Sequence, residues 1–144
     1  MPSPRINMKK RRITPADRKL IAAATAVLRR CHRPGRHSVG AAVLCPSGRT
    51  YTGVNVEACG YGPCAEPVAI GAAFSHGETE ITAVAAVGMR RGKLVLLSPC
   101  GNCRQLIFDY SPDAMVLYSV NGAVHKATAS ELLPGAYRTR FDEE

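Results

Sequence analysis

Gly62-Pro63-Cys64-Ala65-Glu66, followed by Pro99-Cys100-Gly101-Asn102-Cys103, is the stretch that decides how this chain is read. Cys64 and Cys100 are 36 positions apart. A Cys-x-x-Cys pair alone is shared by redox dithiols and zinc knuckles. A third, distant thiolate changes the reading. Three thiolates fill three of the four tetrahedral positions of a zinc ion, and an open fourth position separates a catalytic zinc from a structural one. Glu66, two residues after Cys64, then stands where a general acid/base is needed. On a segment with so little polar surface, an isolated carboxylate is costly to bury without a partner.

Cys64 and Cys100 each follow a proline and each open a predicted helix. Helix N-termini present unpaired N–H groups and partial positive charge. Both favour thiolate over thiol. Three thiolates and Zn²⁺ sum to a net negative charge, which Arg104 and the helix N–H groups are expected to offset. The competing readings are a structural four-ligand zinc, completed by Cys59 or His76, and a redox pair at Cys100 and Cys103. The latter leaves Cys64-Ala65-Glu66 without a role.

Outward from these motifs, the pattern alternates strands and helices. Thr14-Pro15 is a capped helix start. The apolar spacing of Leu20, Ala23, Ala24, Val27 and Leu28 predicts an amphipathic helix over 15–30. Strands are expected over 38–44 and 49–56, joined by the turn Cys45-Pro46-Ser47-Gly48. A buried helix over 64–75, strands at 81–89 and 94–97, a helix at 101–110 and a strand at 115–119 follow. A short strand near Ala123 and a turn at 130–133 close the pattern. This order predicts an α/β layered domain with a mixed sheet.

The chain has 144 residues, enough for one domain with a real core. The apolar fraction of 46% makes a disulfide scaffold unnecessary. Cys31, Cys45 and Cys59 therefore read as small hydrophobes. No apolar run is long enough to span a membrane, and the N-terminus lacks the apolar stretch of a secretory signal. A cytoplasmic protein is the expectation. The net charge is +8, and Arg5, Lys9, Lys10, Arg11 and Arg12 contribute five of those charges before any acid appears. Residues 1–13 are expected to be a flexible basic arm, ahead of a single domain over 14–144. With 6% aromatic residues and no aromatic cluster beside the basic run, the chain lacks a stacking platform for a nucleic-acid strand.

Over residues 38–137 the sequence resembles the cytidine deaminase superfamily. Val39-Gly40-Ala41-Ala42, Thr52-Gly53-Val54-Asn55-Val56-Glu57, Cys64-Ala65-Glu66 and Ser98-Pro99-Cys100-Gly101-Asn102-Cys103-Arg104-Gln105 occur in family order. Gly62-Pro63 before Cys64, and Glu131-Leu132-Leu133-Pro134 followed by Tyr137, resemble the blasticidin-S deaminase branch. The resemblance implies a three-layer α/β/α fold with a mixed five-stranded sheet, assembled as a homotetramer with shared active sites. It implies one Zn²⁺ per subunit, held by Cys64, Cys100 and Cys103. It also implies hydrolytic deamination, in which a water activated at the metal adds to the amino-bearing ring carbon while Glu66 moves the proton and ammonia leaves. The substrate would carry a cytosine-type ring: a cytidine-like nucleoside, a nucleobase or a blasticidin-S-like antibiotic.

Within that resemblance, Asn55 and Glu57 match the pair that holds ribose hydroxyls. Two positions apart on a strand, they would share a face. Ser38 and Tyr137 align with residues that contact the base in the blasticidin branch. Three features depart from the cytidine deaminases. Pro67 replaces an arginine, His37 replaces an aromatic over the base, and the segment between Asn55 and Cys64 is shorter. Glu57 points toward nucleosides, whereas Gly62-Pro63 and the terminal segment point toward the antibiotic branch. The alternatives are a deaminase of purine-type or modified free bases, with His37 and Cys59 lining the pocket, and a non-catalytic zinc-binding module. A nucleic-acid deaminase guided by the basic arm is disfavoured by the missing aromatics.

Overall fold

The computed structural model describes residues 8–138. Its elements run α1 (Pro15–Cys31), β1 (Val39–Leu44), β2 (Thr50–Val54), α2 (Ala65–Ser75), β3 (Ala83–Arg90), β4 (Lys93–Leu96), α3 (Gly101–Tyr110), β5 (Met115–Val120) and β6 (Ala123–Thr128). Five strands form the main path of the sheet, in the order β2-β1-β3-β5-β6, and β4 is a sixth strand paired with β3 off that path. The sheet is mixed: β3 and β5 are parallel, and every other pair is antiparallel. The strand expected near Ala123 extends for six residues as β6.

Period-two alternation splits the central strands between two cores. Ala41, Val43, Val84 and Ala86 face α2 and α3, with Ala69, Ile70 and Ile107. Ala42, Ala83, Ala85 and Val87 face α1, with Leu20, Ala24 and Leu28. This gives helix, sheet and helices in three layers. Gly53 of β2 explains how closely α2 approaches: a Cβ there would lie 2.6 Å from Ala69 N. At Gly40 a Cβ would lie 2.5 Å from Ala24 O of α1.

α1 begins where the sequence signals it. Thr14 Oγ1 accepts from Asp17 N–H at 3.2 Å, and Thr14 N–H donates to Asp17 Oδ2 at 2.8 Å. This reciprocal cap satisfies two N-terminal donors. Lys126 Nζ of β6 donates to the same Oδ2 at 2.7 Å, which ties α1 to the far edge of the sheet.

The arm expected over residues 1–13 lies outside the described residues as far as Asn7. From Met8 onward the chain has partners. Met8 packs on the α2/α3 core and Ile13 on the α1 core. Arg11 makes a fork-shaped pair with Glu131, at 2.6 and 3.1 Å. No described helix is long and apolar enough to cross a membrane.

Candidate active site

Both cysteine motifs sit at helix starts. Cys64 is the N-cap of α2 and Cys100 the N-cap of α3, each with extended backbone. Each preceding proline disfavours earlier helix, and each helix then starts one residue after its cysteine. Cys103 N–H donates to Cys100 Sγ at 3.5 Å. The Sγ atoms of Cys64 and Cys100 lie 3.9 Å apart, and the three sulfurs of Cys64, Cys100 and Cys103 all lie within 4.8 Å of one another. Tetrahedral zinc with Zn–S bonds of about 2.3 Å needs thiolates roughly 3.8 Å apart. The donor set therefore fits zinc in both chemistry and spacing.

The groups of this cluster also shift one another's acidity. Burial pushes Cys64 and Cys103 above the usual thiol range, and the neighbouring Cys100 and Glu66 charges push both further. Burial pulls Cys100 the same way, yet N–H groups of Cys103 and Asn102 bring it below its ordinary value. Glu66 is 5% exposed, and desolvation raises its carboxyl, with partial opposition from its own backbone N–H and from Cys103. Four acidic groups thus crowd one partly buried point.

Arg104, expected to offset the thiolate charge, directs its hydrogen bonds to backbone carbonyls. Its Nε donates to Pro99 O at 2.9 Å and its Nη1 to Leu132 O at 3.0 Å. The guanidinium is held by two backbone carbonyls, and the helix N-termini remain as the positive ends facing the sulfurs.

A cavity of about 290 Å³ opens onto Cys64, Cys100 and Glu66, and its walls include Ser38, Asn55 and Glu57. A hydrogen bond from Val56 N–H to Pro63 O, 3.1 Å long, closes the intervening loop and brings the Asn55–Glu57 pair beside Cys64. Gly62 permits this closure: a Cβ there would lie 2.5 Å from Val56 O. β2 ends at Val54, so Asn55 and Glu57 lie just beyond the strand expected to carry them. They nevertheless meet. Asn55 Nδ2 donates to Glu57 Oε1 at 3.0 Å, and Asn55 Oδ1 accepts from Ser38 N–H and Val39 N–H at 2.8 and 2.9 Å.

Along residues 14–119 the chain matches the family model for the cytidine and deoxycytidylate deaminase zinc-binding region. The chain belongs to this deaminase family. It is a hydrolase acting on C–N bonds. A blasticidin-S deaminase of Bacillus cereus is 36% identical over 137 residues, covering 90% of this chain and 98% of that protein. A cytidine deaminase of Sporosarcina psychrophila is 36% identical, covering 83% of this chain and 89% of its own length. The solved structure of a Burkholderia pseudomallei cytidine deaminase superposes with a TM-score of 0.71 at 32% identity, over 83% of this chain and 98% of that one. Within this deaminase, the cluster of Cys64, Cys100 and Cys103 is positioned to bind the zinc that the family's domain carries.

Other expected positions fall elsewhere. Tyr137 is 72% exposed and lies outside the cavity wall, with its carbonyl held by Gln105 Nε2 at 2.9 Å. His37 is not a wall residue; its Nδ1 bonds Asn55 O at 2.8 Å. Cys59 is exposed and also off the wall. Three wall residues belong to none of the motifs quoted from the sequence: Ala86, Leu97 and, at the end of β3, Arg90. The only signal for Arg90 is its place beside the turn Arg91-Gly92, where both residues have positive φ.

Proposed function

We propose that this enzyme deaminates the cytosine-type ring of a small molecule, a cytidine-like nucleoside or a blasticidin-S-like antibiotic, with release of ammonia. The observation that carries the reading is one shared cavity. It joins the buried Glu66 and the thiols of Cys64 and Cys100 to a hydrogen-bonded Asn55–Glu57 pair. Cys64, Cys100 and Cys103 would hold zinc, which when bound supplies an activated water at neutral pH.

In this reading Glu66 carries the proton between that water and the leaving amino group. Its burial supports the role, because a raised carboxyl pKa suits a group that must both accept and return a proton near pH 7. Glu57 presents its carboxylate to a sugar-type hydroxyl. Its Oε1 accepts a hydrogen bond from Asn55 Nδ2, and Oε2 has no partner among the described residues. Ser38 stands at the cavity wall with its N–H already bound to Asn55, which leaves the hydroxyl for the base.

Assembly as a homotetramer in the cytoplasm belongs to the same reading. Exposed Tyr61, Tyr110, Val120 and Tyr137 are the apolar surface such an assembly would cover. Three zinc-ligating thiols are preserved best where thiols stay reduced.

An ammonia-release screen over cytidine, deoxycytidine, cytosine, blasticidin S and guanine tests the substrate class. Turnover of a cytosine-type ring, abolished in Glu66→Gln, is expected. Turnover of guanine alone would replace this reading with the purine-type alternative.

A further inference from the structure

The guanidinium of Arg104 bridges two carbonyls that are distant in the chain. One is Pro99 O, at 2.9 Å, and the other is Leu132 O, at 3.0 Å. Pro99 immediately precedes Cys100. Proline has no N–H of its own, so its carbonyl is the one backbone hydrogen-bonding group available to anchor it.

The far end of the bridge is a stiff mount. Leu132 is 7% exposed and packs in the α2/α3 core. Its N–H bonds Thr128 O at 3.2 Å. Beside it, Glu131 Oε1 accepts from Thr128 Oγ1 at 2.9 Å and from Arg11 Nη2 at 2.6 Å. Leu132 O therefore cannot follow a drift of the Cys100 loop. Next along α3, Gln105 adds a second attachment to the same terminal segment through Tyr137 O.

Cys100 needs such a hold more than its partners. It is exposed, whereas Cys64 is half-buried and Cys103 is buried. Groups that orient metal ligands without touching the metal typically account for 10–100-fold in affinity.

We propose that Arg104 is a positioning residue for the metal centre. It fixes the Cys100 sulfur against the terminal segment at Leu132, so that zinc retention depends on that segment. The inference rests on the reading of Cys64, Cys100 and Cys103 as the zinc ligands. Lysine is no substitute, because one ammonium lacks the planar fork that reaches two carbonyls at once.

The test is the rate at which zinc passes from the holoenzyme to a chromophoric chelator, with circular dichroism as the check on folding. Arg104→Ala is expected to release zinc about 10–100-fold faster with its secondary structure kept. Arg104→Lys should behave more like Arg104→Ala than like the parent. Arg11→Ala is the comparison: it loosens Glu131 and lowers the melting temperature, but it leaves the Pro99–Leu132 bridge, so its zinc release should rise clearly less than that of Arg104→Ala. Parent-like release from Arg104→Ala, full rescue by lysine, or equally fast release from Arg11→Ala would overturn the proposal. Should Arg104→Ala fail to fold, Arg104→Lys decides alone, and parent-like release from it refutes the bridge. A parent enzyme that holds less than one zinc per chain refutes the ligand reading instead, not the bridge.

Discussion

Asn55 and Glu57 are joined by a 3.0 Å hydrogen bond, and the same Asn55 amide holds the start of β1 through the N–H groups of Ser38 and Val39. Asn55 is thus a brace as well as a cavity residue. Asn55→Ala leaves two backbone donors without their partner and frees Glu57. A loss of about 1–3 kcal/mol of stability is expected. Urea unfolding measures it, and a variant as stable as the parent would refute the brace.

Glu66→Gln keeps the shape of the side chain and removes the carboxyl that carries the proton in the proposed function. Turnover should fall by roughly 10²–10⁴-fold, the usual contribution of general acid–base catalysis, with one zinc per chain retained. Ammonia release and metal analysis on the same sample check both halves. Near-parental turnover would remove Glu66 from the mechanism.

Glu57→Ala separates sugar from base. It should raise KM for cytidine by about tenfold, in line with the loss of one hydrogen bond to a charged group, and leave cytosine turnover unchanged. Equal losses on both substrates would show that Glu57 supports the fold of the cavity and does not read the sugar.

Two glycines predict opposite outcomes. Gly53→Ala drives a Cβ to 2.6 Å from Ala69 N and displaces α2, which carries Glu66. Overpacking of this kind costs about 1–3 kcal/mol, and kcat should fall with it. Gly71→Ala lies within α2 but meets nothing within 4 Å. It should stabilise by up to about 1 kcal/mol through helix propensity. Thermal melts of the pair test whether close approach, and not glycine itself, is what matters at Gly53.

Glu131 is held down to about 2, chiefly by the Arg11 hydrogen bond; burial opposes this, and hydrogen bonds from Thr128 add to the lowering. Its contribution is therefore complete above the ordinary value of 4.5 and is lost as pH falls from there toward about 2. Glu131→Gln should cost about 1 kcal/mol at pH 7, as expected for a partly exposed pair, and the difference from the parent should shrink at pH 3. A difference that is constant with pH would show that the charge contributes nothing.

The legible parts of this chain were those with local causes. Thr14-Pro15, Pro63-Cys64 and Pro99-Cys100 each marked a helix start, and the structure puts a helix at each. The three sulfurs converge because two such starts meet at one end of the sheet. What sequence could not show was set by tertiary contact. Arg104 reads as a charge near thiolates, yet Leu132, 28 positions away, claims it. Arg90 reaches the cavity only because the β3–β4 hairpin turns where it does. Tyr137 lies near the zinc helix through its carbonyl, while its ring faces solvent. No spacing rule reports which end of a residue is held.

The ring closed by Val56 N–H and Pro63 O fixes how far Glu57 can stand from Cys64. In the proposed reading it works as a gauge: the two ends of a substrate would be measured against a length written into the loop, not into either end. Lengthening or shortening this loop would then change which molecules fit without altering a single chemical group that touches them.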